Sequence, residues 1–140
     1  MPQGSKRTVN EMAVNIPTMP LAETLGIVLT SAEKDQVVGH LTVREEIATG
    51  GHILHGGAYM AFADTLGAIG AVLNLRDGTR TTTLESKTNF LGGARVGETI
   101  TGEATPLHVG RRSSVWQTRI TNAEGKLLAL VTQTQMTLEL

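Results

Sequence analysis

The chain has 140 residues, 40% of them apolar, with no cysteine and a formal net charge of −1. That length suits one domain with its own core, and the composition is that of a globular chain, not a disordered one. The missing cysteines exclude disulfide staples, thiolate metal sites and a cysteine nucleophile, and the charge balance argues against a nucleic-acid partner.

Residues 1–20 are polar, lack sustained periodicity and contain Pro17 and Pro20, so they read as a flexible N-terminal arm. They hold no continuous apolar stretch of the secretory kind, and no charge-free apolar run of about 18 residues appears anywhere. No membrane partner is expected, and a cytoplasmic location is the default. Residues 21–140 read as a single domain. A short helical turn, LAETLG, leads into GIVLTSAEKDQVVGHLTV, which reads as two strands joined by a turn at 31–35. Residues 44–54 form a loop with a glycine pair, Gly50-Gly51. A helix follows at 57–74, closed by the turn-forming Asp77-Gly78.

The second half is strand after strand. Residues 79–91 are rich in threonine, which suits a pleated sheet, and Gly92-Gly93 break the run. Residues 97–108 form the next strand, and Gly110 marks a turn. In 113–121 Val115 alternates with Trp116, Thr118 and Ile120, and NAEG at 122–125 has hairpin chemistry. The last strand, 126–140, places Leu128, Leu130, Thr132, Thr134, Met136 and Leu138 on one face. The order β-β-α-β-β-β-β predicts an α+β domain, an antiparallel sheet with one long helix.

The helix carries the chemistry. From His55 to Leu75 the chain reads HGGAYMAFADTLGAIGAVLNL, and Asp64 is its only acidic residue. Carboxylates are seldom buried unless paired, because leaving water is costly. At 100° per residue Tyr59, Phe62, Leu66, Ile69 and Leu73 form one packing seam. The opposite face carries Gly57, Met60, Ala61, Asp64, Gly67, Ala68 and Ala71, nearly bare of bulk and suited to close approach by a ligand or a second copy of the chain. The alternative is a structural Asp64, paired with Arg or Lys or hydrogen-bonded to a strand.

His55-Gly56-Gly57 leads straight into the helix, so the Gly56 and Gly57 amides and the helix dipole point at whatever docks there. Such amides can serve as an oxyanion hole; the plainer reading is a loop-to-helix entry. Gly57 and Asp64 are seven residues apart, roughly 10 Å along the helix. One substrate carbonyl cannot touch both within a single chain. If both act on it, the carboxylate comes from a neighbouring subunit in an antiparallel helix pair.

HGGAYMAFAD resembles the signature of hotdog-fold acyl-CoA thioesterases of the PaaI-like type, in which the acid follows the His by nine positions. TLESKTNFLGGARVGETITGEA and VGRRSSVWQTRI…AEGKLLALVTQTQM are similar to the family's later strands. The resemblance implies a hotdog fold, an antiparallel β-sheet wrapped around one long central helix. It implies hydrolysis of an acyl-CoA to free acid and coenzyme A in a homodimer or dimer-of-dimers tetramer, with no cofactor beyond the coenzyme A of the substrate. Asp64 matches the general base or nucleophile, Gly57 the amide that polarises the carbonyl, and His55 the residue preceding this glycine pair. Thr83 takes the place of a Ser or Thr that positions water or carboxylate across the dimer. Relatives commonly carry Asn or Gln six residues before the His, where this chain has Thr49, and His52 stands where a Gly is usual. Gly92-Gly93 replace a frequent Pro.

Other side chains have two readings each. His55 can bond backbone or take part in the chemistry, His52 can contact substrate or face solvent, and Glu85 can neighbour the site or point outward. Arg111 and Arg112, with His108 at a strand turn, can hold the phosphates of coenzyme A or simply be solvated. Four scattered histidines without cysteine offer no zinc-type spacing, so no metal is expected. Thr49 keeps open a second function, acyl-CoA binding or sensing without turnover. A third, dehydration of hydroxyacyl thioesters, requires His55 or His52 to face Asp64.

Overall fold

The computed structural model describes residues 7–8 and 19–140. The chain runs β1 (Arg7–Thr8), α1 (Pro20–Leu25), β2 (Val28–Glu33), β3 (Gln36–Thr42), a 3-10 turn (Glu45–Ile47), α2 (Gly56–Leu73), β4 (Thr79–Phe90), β5 (Thr99–Val109), β6 (Ser113–Thr121) and β7 (Leu127–Glu139). The strands make one antiparallel sheet in the order β1-β2-β3-β5-β6-β7-β4. Helix α2 packs against strands β2 to β7, as an α+β chain of this order predicts. Most of the arm expected at 1–20 lies outside the described residues. Within it Arg7 and Thr8 pair with Val28 and Leu29 as a short edge strand, and Pro20 already belongs to α1.

The seam of α2 is the core. Tyr59, Phe62, Leu66 and Ile69 are buried against Leu41, Ile100, Trp116 and Ile120. By length and composition α2 could cross a bilayer, but its apolar stripe is spent on the sheet. The helix comes close because glycines let it. Gly39 and Gly102 face each other across β3 and β5, and a Cβ on Gly102 would stand 2.6 Å from the Leu66 side chain. On the helix, a Cβ at Gly70 would stand 2.5 Å from the Trp116 ring, which is fully buried and has nowhere to move. Gly70→Ala is therefore expected to destabilise by about 1–3 kcal/mol through overpacking, outweighing the gain of up to about 1 kcal/mol in helix propensity. Denaturant titration of the two proteins checks the sign.

One expected face needs correction. Gly67 and Ala71, assigned to the bare side of the helix, are buried against the sheet. The open side narrows to Gly57, Met60, Ala61, Asp64 and Ala68. On β7, the face carrying Leu130, Thr132, Thr134 and Met136 turns away from the helix, and the inward face is Ala129, Val131, Gln133 and Gln135. Core strands normally read inward by their aliphatic residues, and here two glutamines take that place.

Tyr59 is buried in the seam, its hydroxyl donates to the Gly92 carbonyl at 3.3 Å, and its ring meets Phe90 edge-on. Burial raises its pKa above the usual 10.0. A raised folded-state value means stability is fully present below the unfolded value and is lost as pH climbs from there through the folded one. The melting midpoint should thus fall more steeply above about pH 10 in the wild type than in Tyr59→Phe, as parallel melts across that range would show.

Candidate active site

Asp64 sits on the open side of α2, half-buried, and two strands reach it from below. Thr83 of β4 donates its hydroxyl to Asp64 Oδ1 at 2.5 Å, and Gln133 Nε2 of β7 donates to the same oxygen at 3.1 Å. No Lys or Arg pairs with it among the described residues, and no donor there reaches Oδ2. The carboxylate is thus anchored by one oxygen and free at the other. Thr83, expected to position water or carboxylate across a dimer, bonds Asp64 within its own chain, because β4 runs directly beneath this turn of the helix.

A β-bulge makes that possible. The register of β4 against β7 shifts between Thr83 and Glu85, which inserts Leu84 as an extra residue. Thr81 and Thr83 before the bulge, and Ser86 and Thr88 after it, all turn inward, while Leu84 and Glu85 point out. Thr83, Ser86, Met60, Ala61 and Asp64 line an open hollow of about 250 Å3. Ser86 Oγ is buried there with no hydrogen-bond partner among the described residues.

A second open hollow, about 330 Å3, lies at the helix N-terminus between Leu21, Ile47, His55, Gly57 and Ala58, and shares Ala61 with the first. His55 is the N-cap of α2: its Nδ1 accepts the Gly57 N–H at 2.8 Å. The neutral ring therefore carries its proton on Nε2. Its backbone N–H donates to Ile47 at 3.0 Å, which ties the loop to the helix entry. The Gly57 amide is occupied by this cap. The Gly56 N–H, one residue earlier, finds no acceptor among the described residues.

The remaining expected residues fall outside the two hollows. Thr49 Oγ1 accepts from the Gly51 N–H at 3.2 Å, so its hydroxyl shapes the loop. His52, at φ +61°, pairs its Nδ1 with the Glu45 carboxylate at 2.9 Å in solvent. Neither imidazole hydrogen-bonds the Asp64 of its own chain: the Nδ1 atoms engage Glu45 and the Gly57 N–H instead. Arg111 and Arg112 are exposed at the β5–β6 turn beyond the C-terminal end of α2, where Arg76 Nη1 donates to the Arg111 carbonyl at 3.0 Å. Within one chain they lie at the opposite end of the helix from Gly56.

Gln133 and Gln135 escaped the sequence reading. Both are buried, and Gln135 Nε2 donates to Thr83 Oγ1 at 2.7 Å while its Oε1 accepts from Thr81 at 2.9 Å. Gln133 Oε1 is buried and unpartnered among the described residues, a cost of about 1–3 kcal/mol. Gly67, inside the helix at about 1 kcal/mol relative to Ala, is the counterpart: a Cβ there would stand 2.3 Å from Gln133 Oε1.

The family model described as Thioesterase superfamily matches residues 51–129. The 1,4-dihydroxy-2-naphthoyl-CoA hydrolase of Listeria monocytogenes is 33% identical over 112 residues, covering 80% of this chain and 90% of its own length. Among solved structures, AziG of S. sahachiroi is 28% identical with a TM-score of 0.84, over 89% of this chain and 100% of that one. The E. coli PaaI protein from the phenylacetic acid degradation operon is 25% identical with a TM-score of 0.79, over 86% of each chain.

Proposed function

The chain belongs to the thioesterase superfamily and has its hotdog fold, and from that premise we propose that it hydrolyses an acyl-CoA at a site shared by two subunits. The observation that carries the proposal is the division of one open helix face into two halves. Among the described residues, one half holds a carboxylate oxygen that no donor reaches, the other a helix N-terminus with an unspent amide. The Gly56 amide and Asp64 are eight residues apart, roughly 12 Å along the helix, which exceeds the ~3 Å reach of a hydrogen bond, so each half needs its complement from a second copy. The free edge of β4, a strand of 12 residues bordering the Asp64 hollow, is a surface on which such a copy can sit.

In the proposed reaction the thioester carbonyl accepts from the helix N-terminus of one subunit. Gly56 takes the donor role expected of Gly57, whose N–H is held by His55, and the exposed His55 Nε2–H is a second donor at the same mouth. Asp64 of the partner copy presents Oδ2. As a base it takes a proton from water while the water oxygen adds to the carbonyl carbon. The oxyanion rests on the amide and the dipole, and collapse expels the coenzyme A thiolate, which recovers the proton. As a nucleophile, Oδ2 adds directly and collapse expels the coenzyme A thiolate; water then hydrolyses the mixed anhydride to the free acid, regenerating the carboxylate and giving its proton to the thiolate. No cofactor enters, because a thioester is already activated. Arg111 and Arg112, exposed at the β5–β6 turn, are the guanidinium partners proposed for the nucleotide phosphates.

Release of free thiol from a panel of acyl-CoAs, aliphatic and aryl, tests the reading. Thiol release from at least one member supports it. Measurable acyl-CoA binding with no release across the panel would establish the non-hydrolytic binding protein instead, and an enoyl product the dehydratase.

A further inference from the structure

Beneath Asp64, β7 ends its inward face on Gln133 and Gln135, each 1% exposed, where aliphatic side chains would pack without leaving polar atoms unpaired. Gln133 Nε2 reaches Asp64 Oδ1 at 3.1 Å and the Asp64 carbonyl at 3.4 Å. Gln135 Nε2 donates to Thr83 Oγ1, and Thr83 donates to the same Oδ1. A hydroxyl has one proton to give. With Gln135 donating into the Thr83 oxygen, the hydroxyl proton is directed at the carboxylate. Thr81, donating to Gln135 Oε1, fixes which end of that amide faces Thr83.

We infer that Gln133 and Gln135 are positioning residues for the reactive carboxylate, Gln133 directly and Gln135 through Thr83, holding Asp64 by Oδ1 so that Oδ2 is presented to substrate in one orientation. A carboxylate is a broad two-fold rotor, and two donor lines ending on one oxygen remove that freedom. The helix is adapted to this arrangement: Gly67 has no side chain where the Gln133 amide passes. Packing alone accounts for none of it. A methyl on the helix and a leucine on the strand would fill the same space and leave no polar atom buried without a partner.

The inference rests on Asp64 as base or nucleophile, and the experiment separates the two. Gln133→Met keeps the length and packing of the side chain and removes the donor. Its kcat should fall about 10- to 100-fold with KM within about twofold of wild type, and its melting midpoint should hold or rise. Gln135→Met should show the same pattern. If Gln133→Met does not fold, the compensated double variant Gln133→Leu with Gly67→Ala replaces it under the same criteria. A folded variant with wild-type kcat beside an inactive Asp64→Asn overturns the inference and leaves the reading of Asp64 standing. A lowered midpoint with kcat and KM changed together also overturns it, since that is what a structural role predicts. Full activity in Asp64→Asn removes the reading of Asp64 itself.

Discussion

Asp64→Asn is expected to lower thioester hydrolysis by about 10²- to 10⁴-fold while leaving fold and assembly intact, the range a positioned general base contributes. The substitution is unusually clean here. The asparagine oxygen can take the place of Oδ1 and keep accepting from Thr83 and Gln133, so the anchoring bonds survive. What changes is the other atom: an NH2 replaces the oxygen that has no donor among the described residues, and it can neither take a proton nor attack a carbonyl. The carboxylate is not paired with a Lys or Arg among the described residues, so neutralising it strands no buried partner charge. Free-thiol release, a melting midpoint and the elution volume on size exclusion together check the expectation. Wild-type turnover in a folded Asp64→Asn protein would sink the assignment.

Much of this was readable in the chain before any coordinates. The helix was legible to within a residue at its start and end, because its seam repeats every 3 or 4 residues and the Asp77-Gly78 turn closes it. Each later strand was bounded by a glycine or a hairpin turn, and the element order identified the α+β architecture. The family followed from the spacing of HGG and Asp64, and the superfamily model matches the same stretch. The illegible part was everything that depends on phase between elements. Alternation on β7 is visible, but which face points inward depends on where Gly67 sits above it. The sequence contains no sign that Gln133, and not Leu130, lies under the helix. The bulge at Leu84 shifts the inward set on β4 by one residue, which no reading of a threonine-rich strand could supply. The Gly57 amide was expected to be free, and His55 caps it instead; an N-cap of Asn, Ser or Asp would have announced itself, and a histidine does not.

Gly56→Pro isolates the other half of the site. Gly56 is the first residue of the helix, where proline is tolerated because its missing N–H has no intrahelical partner to lose. The preceding His55 has φ −63° and ψ 138°, the extended backbone that a residue before proline requires. A Cβ at this position would stand 3.3 Å from the Phe90 ring, which is 52% exposed and free to yield. The substitution therefore deletes one hydrogen-bond donor and spares the helix, and hydrolysis should drop by about 10²- to 10³-fold, the effect of losing one oxyanion donor. Asp64→Asn and Gly56→Pro then become a pair of inactive proteins with complementary defects. In a mixed dimer one site receives both lesions, while the other joins the intact helix N-terminus of one chain to the intact carboxylate of its partner. Doubly tagged mixed dimers, purified after co-expression, should recover about half of the wild-type rate per dimer if the two halves meet across subunits. A site contained within one chain would recover none, because every such site would carry one of the two lesions. The roughly 12 Å between Gly56 and Asp64 along the helix predicts the first outcome.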